Sequence, residues 1–205
     1  CGIGSPGTLT GTGYAGIVNS GSLHLTVGTS GTSGYSNAFN NLRFGIINQN
    51  GWLNVYRGDF SNITGGTTTG IPTAGAAVFH SGGLSMQTRN SRFSNCTYGI
   101  YGQGGNYIVR QNTVGTPVDI FASLSDPYSL DIYENWDLNF KEYGIRATGL
   151  RNYTIPVNGV PASFNQYDIG LNTFHSYGTH DGSTEHCAVL LSNAGGNPDM
   201  PTHAR

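Results

Sequence analysis

Two aspartates hold the same place in two similar runs: Asp131 in LDIY, from Leu130 to Tyr133, and Asp168 in YDIG, from Tyr167 to Gly170. In an extended chain the flanking apolar residues point one way and the aspartate the other. If these runs are neighbouring strands, the two carboxylates lie about one strand spacing, ~4.8 Å, apart. Such a pair repels itself or shares a cation such as calcium. At ~5 Å it also matches the separation of the two carboxyl groups in a retaining glycosidase. Arg110, in the related run YIVRQNTV, and Tyr133 would stand beside the pair and contact an acidic sugar. A second concentration of reactive side chains is HSYGTHDGSTEH, with His175, His180, His186, Asp181 and Glu185. Metal binding needs ligands that converge, and this spacing fits no helix or hairpin template. The segment is expected to be a polar insertion loop, with the three histidines as candidate metal ligands.

The elements that must position these groups repeat along the chain. YIVRQNTV (Tyr107 to Val114) has relatives in LNVYRGDF (Leu53 to Phe60), LDIYENWDL (Leu130 to Leu138) and YDIGLNTF (Tyr167 to Phe174). A looser copy is LSMQTRNSRF, from Leu84 to Phe93. Each is an apolar–x–apolar strand, a short polar bend and one large apolar residue. The closing residues are Phe39, Phe60, Phe93, Val114, Leu138 and Phe174, at intervals of 21, 33, 21, 24 and 36 residues. The shortest interval recurs, and the longer ones read as the same unit carrying an insertion. Candidate insertions are TGGTTTGIPTAG (Thr64 to Gly75) and the region from Tyr153 to Asn165.

A second landmark keeps the same phase. FGI at Phe44 and YGI at Tyr98 and Tyr143 each begin five residues after a closing residue. AAVF (Ala76 to Phe79) and CAVLL (Cys187 to Leu191) are the same strand displaced, and GIV at Gly16 opens the series. Asn41, Asn62 and Asn95 each sit two residues after a closing Phe, so stacked units would align their amides in a ladder. No unit of about 21 residues buries its own apolar face, whereas stacked units bury one continuous column. Aligning the units places His24, Asn54, Ser85, Ile108, Asp131 and Asp168 in one outward column. The next outward column holds Thr26, Tyr56, Gln87, Arg110, Tyr133 and Gly170. Trp52, Tyr101 and Trp136 are further aromatics expected on the surface.

The L/Y-x-I/V-x-x-N-x-F runs, the YGI runs and the asparagine column resemble the right-handed parallel β-helix of the pectin-lyase-like superfamily. The likeness runs from about Gly16 to Leu191. It implies an all-β solenoid of about six to eight coils with loop insertions, one domain over residues 1–205. The family includes polysaccharide lyases and hydrolases, secreted and surface bacterial repeat proteins, and phage tailspikes. Its pectin-hydrolase pattern of paired aspartates with G-H-G and R-x-K is absent here, as is the R-x-P-x-x-R of pectate lyases. Lys141 and Arg146, in KEYGIR, are similar to the lysine–arginine pair of some β-helix alginate lyases, although in those enzymes the two lie on different coils. Neither CGIGSPGTLTGTG nor SNAGGNPDMPTHAR reads as a polar cap, so a piece of a longer polypeptide is expected. Cys1 is then a fragment boundary or a lipid-bearing mature terminus.

Composition narrows the partners. Charged residues are 10% of the chain, Lys141 is the sole lysine and the net charge is −2 with no basic cluster, which argues against nucleic acid. No apolar run approaches the roughly 20 residues of a membrane helix. Three cysteines, at positions 1, 96 and 187, make neither a disulfide framework nor a metal motif. The expectation is a non-catalytic module of a large secreted or cell-surface bacterial protein, serving as stalk, adhesin or glycan-binding surface without a cofactor. The alternative is a polysaccharide lyase or glycoside hydrolase working around Asp131, Asp168 and Arg110, with Tyr56, Tyr133 and Arg110 holding the glycan. An ice-binding surface ranks below both, because the threonines hold no common phase.

Overall fold

The computed structural model describes residues 13–31, 34–65, 71–82, 84–150, 167–178 and 187–193. All of its regular structure is β. The first sheet runs β1 (Gly13–Asn19), β4 (Leu42–Gln49), β7 (Ala76–Ser81), β10 (Tyr98–Gln103), β13 (Val118–Ser125) and β15 (Leu138–Leu150). Both β17 (Phe174–Ser176) and β18 (Cys187–Asn193) pair with β15, at its two ends. The second sheet contains β2 (Leu25–Val27), β5 (Leu53–Tyr56), β8 (Ser85–Arg89), β11 (Asn106–Arg110), β14 (Ser129–Tyr133) and β16 (Tyr167–Gly170). The third contains β3 (Asn37–Asn40), β6 (Gly58–Ile63), β9 (Arg92–Cys96) and β12 (Thr113–Val114). Every strand pair is parallel, and from β1 to β14 successive strands enter the first, second and third sheet in strict rotation. A strand's partner is therefore found three strands further along the chain.

The turns between sheets rely on left-handed backbone, which is costly outside glycine. At the turns that follow the second-sheet strands β5, β8, β11, β14 and β16, this role falls to Arg57, Asn90, Gln111, Glu134 and Leu171, with φ between 50° and 58°. Stacking holds them there. The Arg57 N–H donates to Arg89 O (3.0 Å), Asn90 N–H to Arg110 O (3.3 Å) and Glu134 N–H to Gly170 O (3.3 Å).

The closing apolar residues pile up as the repeat requires. Phe39 pairs with Phe60 and Phe60 with Phe93, and Val114 follows opposite Phe93. The three rings stack nearly parallel, with centroids 4.8 and 5.2 Å apart and interplanar angles of 9° and 7°. Leu138 and Phe174 form the next pair in register. The FGI and YGI runs also align, Phe44 with Ala76, Ala76 with Tyr98, and Tyr143 with Cys187. Their glycine is a matter of space. A Cβ at Gly45 would stand 2.7 Å from the Phe60 ring, and one at Gly144 would stand 2.6 Å from Phe174.

Three expectations are corrected. In the run from Leu84, it is Met86 that aligns with Leu53 and Tyr107, because Met86 is buried and Leu84 exposed. The strand there is offset by two residues, which removes Ser85 from one outward column and Gln87 from the other. His24 and Thr26 shift likewise, since Leu25 pairs with Leu53. Tyr101 is buried, within a second apolar cluster that also holds Phe44, Phe79, Tyr98 and Tyr143. Consecutive buried residues in β4, β7 and β10 mean that both faces of the first sheet are covered, as parallel strands commonly are.

His80 of β7 lies fully buried. The Asn48 amide donates to its Nδ1 at 2.9 Å, and its Nε2 has no hydrogen-bond partner among the described residues. Burial lowers its pKa from 6.5 to about 4, so the folded state holds the ring neutral. Stability is then fully present above pH ~6.5 and falls with acidification toward pH ~4, at up to about 1.4 kcal/mol per pH unit. Urea titrations at pH 7 and pH 5 should differ by about 2 kcal/mol, and His80→Gln should remove most of that difference.

Candidate functional site

The outward positions of the second sheet alternate with buried ones along each strand. Read from the register, one outward column is Thr26, Asn54, Gln87, Ile108, Asp131 and Asp168. The other contains Tyr56, Arg89, Arg110, Tyr133 and Gly170. Leu130 and Ile132 point inward and are buried. Asp131 and Asp168 are direct neighbours across β14 and β16, the placement expected from LDI and YDI.

Asp131 does not stand as one of two equivalent carboxylates. The Arg110 Nε donates to both of its oxygens, at 2.9 and 3.1 Å, and Nη2 adds a contact to Oδ2. This bidentate pairing is the strong form of a charge-assisted hydrogen bond. It raises the Arg110 pKa above its ordinary value, with hydrogen bonding to Asp131 the main cause. The same guanidinium lies 5.8 Å from the centre of the Tyr133 ring. Glu134 accepts from the Gln111 amide at 3.2 Å.

Tyr56, Arg89, Arg110 and Tyr133 are successive register neighbours, so the row spans about 14 Å at three strand spacings. Among the described residues no carboxylate is ion-paired with Arg89. A register that starts this run at Leu84 lies two residues out of step and hides Arg89. The signal was nonetheless present: counted back from the closing Phe93, Met86 stands where Leu53 stands before Phe60.

The remaining candidates separate. Lys141 pairs with Asp119 at 2.8 Å, and Arg146 lies over Tyr143 at 5.4 Å and donates to Ser123 Oγ at 3.0 Å, so the two are not brought together at one site. His175 lies 3.5 Å from Asp137. His180, His186, Asp181 and Glu185 lie outside the described residues, as does Cys1. Among the described residues no group of three or more His, Cys, Asp or Glu side chains gathers to hold a metal. Cys96 and Cys187 are free thiols. Burial drives the Cys96 pKa up to about 12, which leaves it a small core residue rather than a nucleophile.

Two asparagine ladders are present. Asn95 donates to Asn62 at 2.8 Å as expected, but Asn62 donates to Asn40 rather than Asn41, at 3.1 Å. The ladder with more bonds is elsewhere. Asn112 donates to Asn135 at 2.9 Å and Asn135 to Asn172 at 2.8 Å, beside the second-sheet edge. Their oxygens also accept backbone N–H groups of Ser91, Asn112 and Asn135, at 3.0 Å each. Its amides also donate to Thr88 O, Val109 O and Ile132 O, which ties down the ends of β8, β11 and β14, next to Arg89, Arg110 and Tyr133.

No family model, curated protein or solved structure matches the chain. Fold and surface define an all-β protein of stacked parallel sheets with a tyrosine- and arginine-lined outer face. No helix among the described residues is long and apolar enough to cross a membrane.

Proposed function

We propose that the chain is a right-handed parallel β-helix of six to eight coils, similar to the pectin-lyase-like superfamily, and that it is a non-catalytic glycan-binding module of a large secreted or cell-surface bacterial protein. Support for the coil comes from the rotation of strands through three parallel sheets, together with the right-handed rule for parallel crossovers. Acidic polysaccharide is the ligand class. The observation that carries this choice is the row Tyr56, Arg89, Arg110 and Tyr133 on one outer face. Arg89 supplies a cation for a uronate carboxylate, and the two tyrosine rings offer flat apolar faces with a polar tip. Arg110 is spent on Asp131, which takes that carboxylate away from a catalytic couple with Asp168 and favours binding over hydrolysis.

Affinity electrophoresis in gels containing polygalacturonate or alginate tests the reading. The protein should be retarded, less so at high salt, and Arg89→Ala or Tyr133→Ala should abolish most of the retardation. Incubation with either polymer should release no unsaturated or reducing ends. Migration indifferent to both polymers would refute the ligand class, and product release would replace binding with the lyase or hydrolase alternative.

A further inference from the structure

A second site lies on the third sheet, where its ladder is interrupted. β12 has only two residues, and the next coil touches it through the single bridge between Thr113 and Trp136. Beyond that bridge the Asn139 side chain replaces the missing backbone ladder. Its amide donates to Val114 O at 2.6 Å and to Gly115 O at 3.0 Å. The gap leaves a cleft of about 440 Å³ lined by Thr113, Gly115, Asp137, Asn139, His175 and Tyr177, within the size range of small-ligand sites.

The chemistry of the lining is specific. With both amide hydrogens given to the main chain, Asn139 presents only its carbonyl oxygen, an acceptor. Asp137 adds two more acceptor oxygens on a side chain that is 71% exposed, and its contact to His175 Nε2, at 3.5 Å, is too long to consume them. Asp137 is held in left-handed backbone, φ 52°, with its own carbonyl accepting from Asn139 N–H at 2.8 Å. That tight turn points carboxylate and amide to one side of the gap. Gly115 adds no side chain to the floor, and Tyr177, 62% exposed, forms an aromatic wall. Among the described residues no lysine or arginine lines the cleft.

We infer that this cleft binds a neutral sugar unit of a glycan, with ring hydroxyls donating to Asp137 and Asn139 and the sugar's apolar face against Tyr177. A donor-rich ligand satisfies fixed acceptors, and a uronate would meet the Asp137 carboxylate with no lysine or arginine among the described lining residues to pair with it. The site is separate from the second-sheet row and does not depend on that row binding anything.

Amide-resolved NMR titration of the full chain with neutral hexaoses (cellohexaose, xylohexaose and mannohexaose) and with hexagalacturonate is the test. At least one neutral hexaose at millimolar concentration should shift the amides of Gly115, Asn139 and His175. Asp137→Asn should weaken that binding about tenfold, and Tyr177→Ala similarly, with cooperative unfolding retained as the check on folding. The inference is overturned if no neutral hexaose shifts those amides, if only hexagalacturonate does, or if the shifts fall on the second sheet instead. Calcium or zinc alone producing the same shifts would also overturn it, in favour of a cation site.

Discussion

Replacing Asn135 by alanine is expected to lower the free energy of unfolding by about 3–5 kcal/mol, out of proportion to the few atoms removed. Asn135 is fully buried. Its amide donates to Asn172 Oδ1 at 2.8 Å and Val109 O at 2.9 Å, while its oxygen accepts from the Asn112 N–H and the Asn112 amide at 3.0 and 2.9 Å. Alanine leaves all of these partners buried without it, and each stranded group costs about 1–3 kcal/mol, partly relieved where water enters. Asn62 offers the contrast. Its ladder is exposed to solvent, and Asn62→Gly keeps the left-handed φ of 55°. That change should cost well under about 1 kcal/mol, because water replaces the lost bonds. Urea unfolding of the two variants with unchanged m-values separates the cases.

Phe60→Ala is expected to cost about 3–5 kcal/mol, since it opens a cavity between two stacked rings in the centre of the core. Gly45→Val should cost about 1–3 kcal/mol through overpacking, because its Cβ would meet Phe60 at 2.7 Å and Ala77 O at 2.4 Å. Phe60 and Gly45 share one space, so the double variant Gly45→Val/Phe60→Leu should lose less than the two single changes added together. The chain contains a natural version of this exchange. At Gly99, the position equivalent to Gly45, the closing residue that follows is the smaller Val114, and the Phe121 ring of the next strand lies there instead, 3.2 Å from where a Cβ would stand and 5.6 Å from the Phe93 ring. A double-mutant cycle showing strict additivity would separate the two positions.

Much of this arrangement was legible because inward positions tolerate few alternatives. A large apolar residue must recur once per passage through the three sheets to fill the column, and Phe39, Phe60, Phe93 and Val114 keep that phase across insertions. Outward positions obey no such filter, so the alignment of the Leu84 run slipped by two residues without any visible penalty. Period-two alternation cannot detect a slip of two, since every side chain stays on its own face. Counting back from Phe93 would have detected it. Of the two asparagine ladders only the exposed one was legible, with Asn41 in the place that Asn40 holds, for a related reason. Asn41, Asn62 and Asn95 share a phase, but so do Asn112, Asn135 and Asn172, and only burial distinguishes a structural ladder from a solvated one. The burial of Tyr101 was not legible, because a cover over the outer side of a sheet leaves no mark on the strand beyond a longer apolar run. The cleft beside Asn139 was likewise hidden, since it arises from a missing stretch of ladder.

The rotation of strands through three parallel sheets, with the closing apolar residues stacked between them, is the feature on which the row from Tyr56 to Tyr133 and the cleft both depend. Isotope-resolved NOE spectroscopy measures it directly. Ring protons of Phe60 should show contacts to both Phe39 and Phe93, and the pairs Asp131/Asp168 and Ser61/Ser94 should give cross-strand N–H to Hα contacts of a parallel ladder. Close Hα–Hα contacts between strands adjacent in sequence, such as β5 and β6, with the Phe60 ring touching neither Phe39 nor Phe93, would contradict it.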